Sequence, residues 1–192
     1  MSANLNSKLD ACYLAYLPSA QQFRDLRERN IDLLFGRILP QIEEDVHSEV
    51  LFHDRLVIAA GPRSKWTRQR KIVLSDLVDA PWVLPRRDTI LGALVADAFR
   101  AKGMKFPPKG AVEGASSLIC ALLARGPFLG TVPVSLLRFG ASIPGLKVLP
   151  VNLSVAPWET GIMTLKNRTV TPVVSLFIDC VREIVKPLAN KS

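Results

Sequence analysis

Arg37 is the residue of this sequence best suited to hold a small anion. It follows Gly36 directly after the run Ile31–Phe35, which is apolar apart from Asp32 and which we predict to be a buried β-strand. In an open α/β sheet, ligands collect where strands end, and a planar guanidinium matches a carboxylate through two parallel hydrogen bonds. The sequence therefore predicts that Arg37 binds the carboxylate of a small molecule, or a structural acid in its place. The alternative is a surface salt bridge with Glu43 or Glu44.

Three serines are predicted at helix N-termini, where free amide groups and the helix dipole favour negative charge. Ser19 opens a capping-box pattern, so a helix should begin there, run to about Arg29 and stop at Asn30 in a left-handed conformation. Ser116 or Ser117 should cap a further helix in the same way. All three serines are candidate ligand contacts, and the alternative for Ser19 is a plain helix cap.

The other reactive side chains predict no catalytic, metal or nucleotide site. His47 and His53 have no nearby thiolate and follow no GxSxG-like elbow, and the sequence has no glycine-rich nucleotide loop. The 3 cysteines are widely spaced without a CxxC pair. This spacing disfavours a zinc site or a disulfide framework and indicates a reducing compartment. We therefore expect no catalytic residues, no metal and no cofactor.

The composition indicates a globular protein with a core of its own. The chain has 192 residues, 48% of them apolar, and a net charge of +8. Its dense basic patch is RSKWTRQRK at 63–71, which we predict to be a solvated loop, because no helix-turn-helix, zinc-finger or RNA-binding pattern accompanies it. No apolar run reaches the roughly 18 to 20 residues of a membrane span, and no signal segment is apparent. We expect a soluble, cytoplasmic protein without a membrane partner.

The predicted elements alternate between strands and helices. The further strands are 50–60, 81–85 and 128–132, and the further helices are 90–102, capped by Thr89, and 172–185, opened by Thr171. The first of these strands changes character at its centre, in the sequence His-Asp-Arg. Such alternation predicts an α/β protein with a mostly parallel sheet.

Five portions of the sequence carry a family pattern. They are LRERNIDLLFGR (26–37), EVLFHDRLVIAAGPRSKW (49–66), LSDLVDAPWVLP (74–85), EGASSLICALLARGPFLGTVP (113–133), and LPVNLS followed by ETGIMTLKNR before the last helix. In this order and spacing, from about Ser19 to the C-terminus, they resemble the effector-binding domain of LysR-type transcriptional regulators.

The resemblance implies a fold like that of type II periplasmic binding proteins, in which two Rossmann-like lobes flank a cleft and are joined by two crossover hinges. Residues 1–57 and 156–192 would form the first lobe, and residues 58–155 the second. A small effector, expected to bear a carboxylate, would bind in the cleft and so regulate transcription. Relatives commonly line this pocket with residues at the positions of Ser19 and Arg37.

The resemblance also implies partners. Such regulators are homo-oligomers and contact DNA through an N-terminal helix-turn-helix domain, for which the sequence shows no pattern. The strand and helix that open the first lobe in relatives are not apparent either, so we expect an apolar surface of that lobe to be left uncovered. Three alternatives stay open: a solute-binding protein of a transporter, an enzyme on the same two-lobed architecture, and a non-functional truncated regulator.

Overall fold

The structure is a computed structural model that describes residues 13–14, 18–41, 44–106, 112–113, 116–139 and 145–189. These residues form two compact units. The first unit takes in the described residues up to His53 and from Trp158 onward, and the second spans Asp54–Pro157. The chain therefore passes from one unit to the other at His53–Asp54 and again at Pro157–Trp158.

Strands and helices alternate along both units, as predicted for an α/β protein. The strands, in chain order, are β1 (Tyr13–Leu14), β2 (Leu34–Arg37), β3 (Val46–Asp54), β4 (Leu56–Ala60), β5 (Trp82–Leu84), β6 (Val112–Glu113), β7 (Leu129–Pro133), β8 (Lys147–Val148) and β9 (Trp158–Leu165). The helices are α1 (Ala20–Arg27), α2 (Ile90–Ala101), α3 (Ser116–Arg125), α4 (Val134–Phe139) and α5 (Pro172–Ala189), and short 3₁₀-helices span Lys65–Arg68 and Leu74–Leu77.

The first unit is a sheet of order β1-β2-β9-β3 with a helix on each face. β1 and β2 are parallel, as expected for strands joined by a helix, whereas β9 runs antiparallel to β2. Helix α1 buries Phe23 and Leu26 in a cluster with Met163, and α5 buries Ile178 in a cluster with Ile162. Because successive residues of a strand point to opposite faces, α1 and α5 cover opposite faces of this sheet.

The second unit is a sheet of order β6-β5-β7-β4-β8. β5 is parallel to β6 and β7, and the chain between these strands runs through α2 and α3. β4 is antiparallel to both of its neighbours, β7 and β8. The prediction of a mostly parallel sheet was therefore wrong, because only strands joined by a helical crossover run parallel, whereas β4 and β9 enter their sheets directly from the other unit.

The predicted boundary between α1 and β2 also needs correction. The left-handed residue is Arg29, with φ of 66°, and not Asn30. Asn30 and Ile31 donate their backbone N–H groups to the carbonyl of Asp25 at 2.9 and 3.3 Å. Since these amides bond to the helix end, they do not join the sheet, and β2 begins at Leu34 instead of Ile31.

The predicted caps of two helices are confirmed. The hydroxyl oxygen of Thr89 accepts a hydrogen bond from the backbone N–H of Gly92 at 3.1 Å, at the start of α2. Thr171 accepts from the backbone N–H of Val174 at 3.4 Å, at the start of α5. Both caps depend on a side chain that reaches only three residues along the chain, which is why the sequence could reveal them.

Two other helix boundaries differ from the prediction. Helix α3 begins at Ser116, so Ser116 and Ser117 occupy its first turn and do not precede it. Helix α5 continues to Ala189, beyond the predicted end at Val185. The additional turn buries Leu188 in a cluster with Val185 and Phe52, and this apolar contact stabilises it.

Candidate ligand-binding site

Arg37 is the last residue of β2 and lies directly opposite Thr160 of β9. The pairing continues one residue further, where Ile38 donates its backbone N–H to the carbonyl of Glu159 at 2.9 Å. On the other side of β9, a Cβ atom at Gly161 would lie 1.9 Å from the carbonyl oxygen of Glu49. Glycine at this position therefore lets β9 lie close to β3, its neighbour on the side away from β2.

The guanidinium of Arg37 lies over the ring of Trp158. The distance from Cζ to the ring centroid is 5.2 Å, and Trp158 is 5% exposed. Trp158 and Thr160 are two residues apart on β9, so their side chains point to the same face of the sheet as that of Arg37. The cation–π contact fixes the guanidinium beside Thr160 and leaves its planar donors available for a further partner.

Two buried polar atoms in this arrangement are unsatisfied. Nε of Arg37 and Oγ1 of Thr160 have no hydrogen-bond partner within the described part of the chain. Leaving a buried polar group without a partner costs about 1–3 kcal/mol. Neighbouring unsatisfied groups, one of them cationic, form a site that an anion able to accept two hydrogen bonds would complete.

The alternative role predicted for Arg37 is a surface salt bridge with Glu43 or Glu44. Glu44 is described, and no ion pair joins it to Arg37. Glu43 lies outside the described residues. The structure thus leaves the guanidinium of Arg37 without a carboxylate among the residues that it describes.

Ser19 forms the predicted capping box at the start of α1. Its hydroxyl oxygen accepts from the backbone N–H of Gln22 at 3.3 Å, and its own N–H donates to Oε1 of Gln22 at 2.8 Å. Because β1 and β2 are parallel and α1 follows β1, the start of α1 belongs to the sheet edge at which β2 ends with Arg37. The topology therefore brings Ser19 and Arg37 to the same edge of the first unit.

Ser116 and Ser117 belong to the second unit, in the first turn of α3. The placement of their side chains lies outside what the structure describes. Their role as ligand contacts stays a prediction.

Sequence reasoning missed Trp158 and Thr160, the two residues that contact or oppose Arg37. Both come from a strand more than a hundred residues away, and no local pattern pairs them with β2. The usable signal was the charged Glu159 between Trp158 and Thr160, because a strand that exposes the middle residue buries the two on either side of it.

Metal-ligand groups, the buried cysteine and the lengths of the helices complete the description of the candidate sites. No group of three or more histidine, cysteine, aspartate or glutamate side chains in this part of the chain is placed to hold a metal ion. Burial raises the pKa of the Cys120 thiol, which disfavours the reactive thiolate. Of the helices in the described ranges, none has the length and apolar character needed to cross a bilayer.

Comparison with known families decides where the chain belongs. The family model of the LysR substrate binding domain matches residues 13–186. The chain belongs to this family. Membership in the LysR substrate-binding family confirms the resemblance carried by the five portions of the sequence.

Two named relatives are regulators of the same kind. The HTH-type transcriptional regulator GalR of Pseudomonas putida is 24% identical over 162 residues, which cover 84% of this chain and 41% of GalR. The HTH-type transcriptional regulator GbpR of Azospirillum brasilense is 25% identical over 152 residues, covering 77% of this chain and 44% of GbpR. This LysR-family chain thus spans less than half the length of these relatives.

Solved structures confirm the fold. The effector-binding domain of BenM with its effector benzoate has a TM-score of 0.61 and 23% identity, over 88% of this chain and 75% of that one. The effector-binding domain of QuiR in complex with shikimate has a TM-score of 0.59 and 19% identity, over 88% and 78%. The predicted periplasmic-binding-protein-like fold of LysR effector-binding domains is therefore confirmed.

Proposed function

We propose that this chain senses a small carboxylate-bearing effector for a LysR-type transcriptional regulator, and that Arg37 binds the carboxylate. The observation that carries the proposal is the unsatisfied pair formed by Nε of Arg37 and Oγ1 of Thr160, beside Trp158, in a domain of this family. Benzoate and shikimate, the compounds bound by BenM and QuiR, are both small carboxylates. The proposal extends that chemical class to this chain.

The proposed chemistry follows from the donors present. One carboxylate oxygen accepts from Nε of Arg37 and the other from a terminal nitrogen of the same guanidinium, while the Thr160 hydroxyl donates to either oxygen. The ring of Trp158 shields the ion pair from water and so strengthens it. Ser19, Ser116 and Ser117 are proposed as further contacts from helix N-termini.

We propose that the two compact units, which are divided at 53/54 and 157/158, correspond to the two lobes, for which the sequence predicts boundaries at 57/58 and 155/156. An effector that binds one arrangement of a regulator more tightly than another increases the population of the first arrangement. The size of the change is set by the ratio of the two affinities. We propose that this shift acts on a homo-oligomer and reaches DNA through a helix-turn-helix domain of the intact regulator. A cytoplasmic location follows from the family's role in transcription.

We also propose that the chain catalyses no reaction. In the second unit, Ser135 donates its hydroxyl to the buried carboxylate of Asp54 at 2.5 Å, and its backbone N–H donates to the same carboxylate at 3.2 Å. This pattern is typical of a helix cap, whereas a serine nucleophile needs a base that accepts its proton and is itself oriented by a third group.

Titration calorimetry with benzoate, shikimate and related carboxylates, each beside its uncharged amide, tests the site. We expect at least one carboxylate to bind and its amide to bind about tenfold or more weakly. Arg37→Gln should weaken binding to a similar extent. The matched control is Arg100→Gln, which removes an exposed guanidinium of the second unit and should leave the affinity unchanged.

Thr160→Val separates a binding role from a structural one. The substitution keeps the shape of the side chain and removes a buried unsatisfied hydroxyl, so the melting temperature should rise while the affinity for the carboxylate falls. If Arg37→Gln binds the effector as the wild type does, or Thr160→Val leaves the affinity unchanged, the respective residue does not belong to the site.

A further inference from the structure

The second unit carries a groove that the proposed effector site does not use. Its volume is about 430 Å³, within the roughly 300–1,000 Å³ typical of small-molecule sites. One part of its lining comes from the loop after β4 and the 3₁₀-helix that follows, and another from the second 3₁₀-helix and the turn after it. The polar and aromatic lining residues are Arg63, Ser64, Lys65, Trp66, Asp76 and Asp79.

Charges of both signs line this groove without neutralising one another. Arg63 and Lys65 form no ion pair with Asp76 or Asp79, although all four are described and exposed. One carboxylate oxygen of Asp76 accepts from the backbone N–H of Val73 at 3.0 Å, whereas no such bond holds Asp79. Two cations and a free carboxylate thus lie around one groove, too far apart to satisfy each other.

The groove also offers an aromatic surface and an unsatisfied hydroxyl. Nζ of Lys65 lies 5.0 Å from the ring centroid of Trp66, which is half-buried. This contact holds the ammonium of Lys65 against the indole. Ser64 is 3% exposed, and its hydroxyl has no hydrogen-bond partner within the described residues. A buried donor without a partner, next to a groove of this size, indicates a polar occupant.

We propose that this groove binds a zwitterionic small molecule of the α-amino acid class. The ammonium group of the ligand pairs with Asp79, and its carboxylate pairs with Arg63 or Lys65. The remainder of the ligand lies against Trp66. This site is separate from the one at Arg37, and the proposal does not depend on the proposed function.

The basic segment 63–71 by itself would favour a polyanion such as a nucleic acid, since exposed cations bind phosphates. Asp76 and Asp79 argue against that occupant in the groove, because phosphates placed there would be repelled by both carboxylates. A ligand with both charges satisfies the cations and the free carboxylate together, which neither an anion nor a cation alone achieves.

The proposal is tested by titration calorimetry of the full chain with each of the common amino acids. Every amino acid that binds is compared with its N-acetyl derivative, which lacks the ammonium, and with its amide, which lacks the carboxylate. We expect at least one free amino acid to bind and both derivatives to bind about tenfold or more weakly, since each loses one charged hydrogen-bonded pair.

Two variants assign the charges. Asp79→Asn should weaken binding of the free amino acid about tenfold and leave the weak binding of its N-acetyl derivative unchanged. The double variant Arg63→Gln and Lys65→Gln should also weaken binding of the free amino acid about tenfold, and should leave the weak binding of its amide unchanged. All three positions are exposed, so the folded state should persist, with unchanged melting temperatures as the check. Arg100→Gln is the matched control. Arg37→Gln distinguishes the two sites, because an amino acid bound in the groove does not contact Arg37 and should bind this variant as it binds the wild type.

Several results would overturn the proposal. They are the lack of heat with every amino acid at millimolar concentration, equal binding of an N-acetyl derivative, an unchanged affinity in Asp79→Asn, and loss of binding in Arg37→Gln. Heparin binding that strengthens in Asp79→Asn, without any amino acid binding, would instead identify the segment as a polyanion surface.

Discussion

The second unit buries every residue of β4 and β7, whereas the first unit joins distant parts of its chain through partly exposed ion pairs. At the centre of the second unit, Trp82 and Phe99 meet edge to face with ring centroids 5.6 Å apart, and both are fully buried. The ion pairs described in the second unit join close neighbours, such as Arg86 with Asp88. Its stability therefore depends on apolar burial.

The first unit uses charge for long-range contacts. Arg182 of α5 forms two hydrogen bonds with Glu49 of β3, at 2.9 and 2.7 Å, across 133 positions of sequence. Arg27 likewise pairs with Asp45, and Arg168 with Asp32. Solvent screens partly exposed ion pairs, so these contacts position the chain more than they stabilise it.

Helix α5 leaves apolar side chains in water as well, with Leu176 at 54% and Ile184 at 60% exposure. Exposed apolar side chains also occur in the second unit, among them Val73 at 59% and Val148 at 50%. The two units therefore differ in how far along the chain their ion pairs reach.

The largest effect should come from Phe99→Ala. The change opens a cavity beside Trp82 and should lower the free energy of unfolding of the second unit by about 3–5 kcal/mol. Hydrogen exchange followed by mass spectrometry resolves the two units by their peptides. Protection should fall across β4, β5 and β7 and stay unchanged in β9 and α5. An equal loss of protection in both units would contradict the view that Phe99 stabilises the second unit alone.

Acidification should break the long-range ion pairs of the first unit, whereas in the second unit Asp88, whose pKa Arg86 lowers, pairs only with a residue two positions away. Hydrogen bonds from Arg182 lower the pKa of Glu49 below its ordinary 4.5, and the guanidinium of Arg27 lowers that of Asp45 below 3.8. A carboxyl with a lowered pKa in the folded state stabilises the fold above its unfolded pKa, and this stabilisation is lost as the pH falls through the folded value.

Hydrogen exchange between pH 6 and the onset of acid unfolding should therefore show earlier loss of protection in α5 and β3 than in β4 and β7. Replacing Glu49 with Gln should remove part of this difference. A second unit that loses protection first would contradict the assignment of long-range ion pairs to the first unit.

The smallest effect is expected for Arg182→Gln. It removes the pair with Glu49 and should destabilise the first unit by about 0.5–1 kcal/mol, because both side chains are partly exposed. Arg100→Gln is the matched control, since it breaks only a local pair with Asp97 in the second unit. Urea denaturation measures both; a larger loss for Arg100→Gln would reverse the comparison.

Local signals in the sequence predicted much of this fold. The capping box of Ser19 and the threonine caps of α2 and α5 involve residues three positions apart, so the pattern contains the whole interaction. The change of character within 50–60 was also informative, because β3 ends at Asp54 and β4 begins at Leu56, on either side of Arg55.

Contacts between residues far apart in the chain could not be predicted from local patterns in the sequence. Arg37 was identified from its place after a strand, but Thr160 and Trp158 reach it only through the antiparallel pairing of β2 and β9. The groove near Trp66 likewise needs Asp79 from another turn. The start of β2 was missed because the carbonyl of Asp25 takes the amides that would otherwise begin the strand.

The most direct test of a carboxylate sensor is a thermal melt of the chain with a panel of aromatic and aliphatic carboxylates, performed in parallel on Arg37→Gln and Arg100→Gln. A ligand that binds only the folded state raises its melting temperature. We predict that at least one carboxylate raises the melting temperature of the wild type and of Arg100→Gln, but not that of Arg37→Gln. The absence of any shift in the wild type, or an equal shift in Arg37→Gln, would contradict the proposal that Arg37 holds the effector.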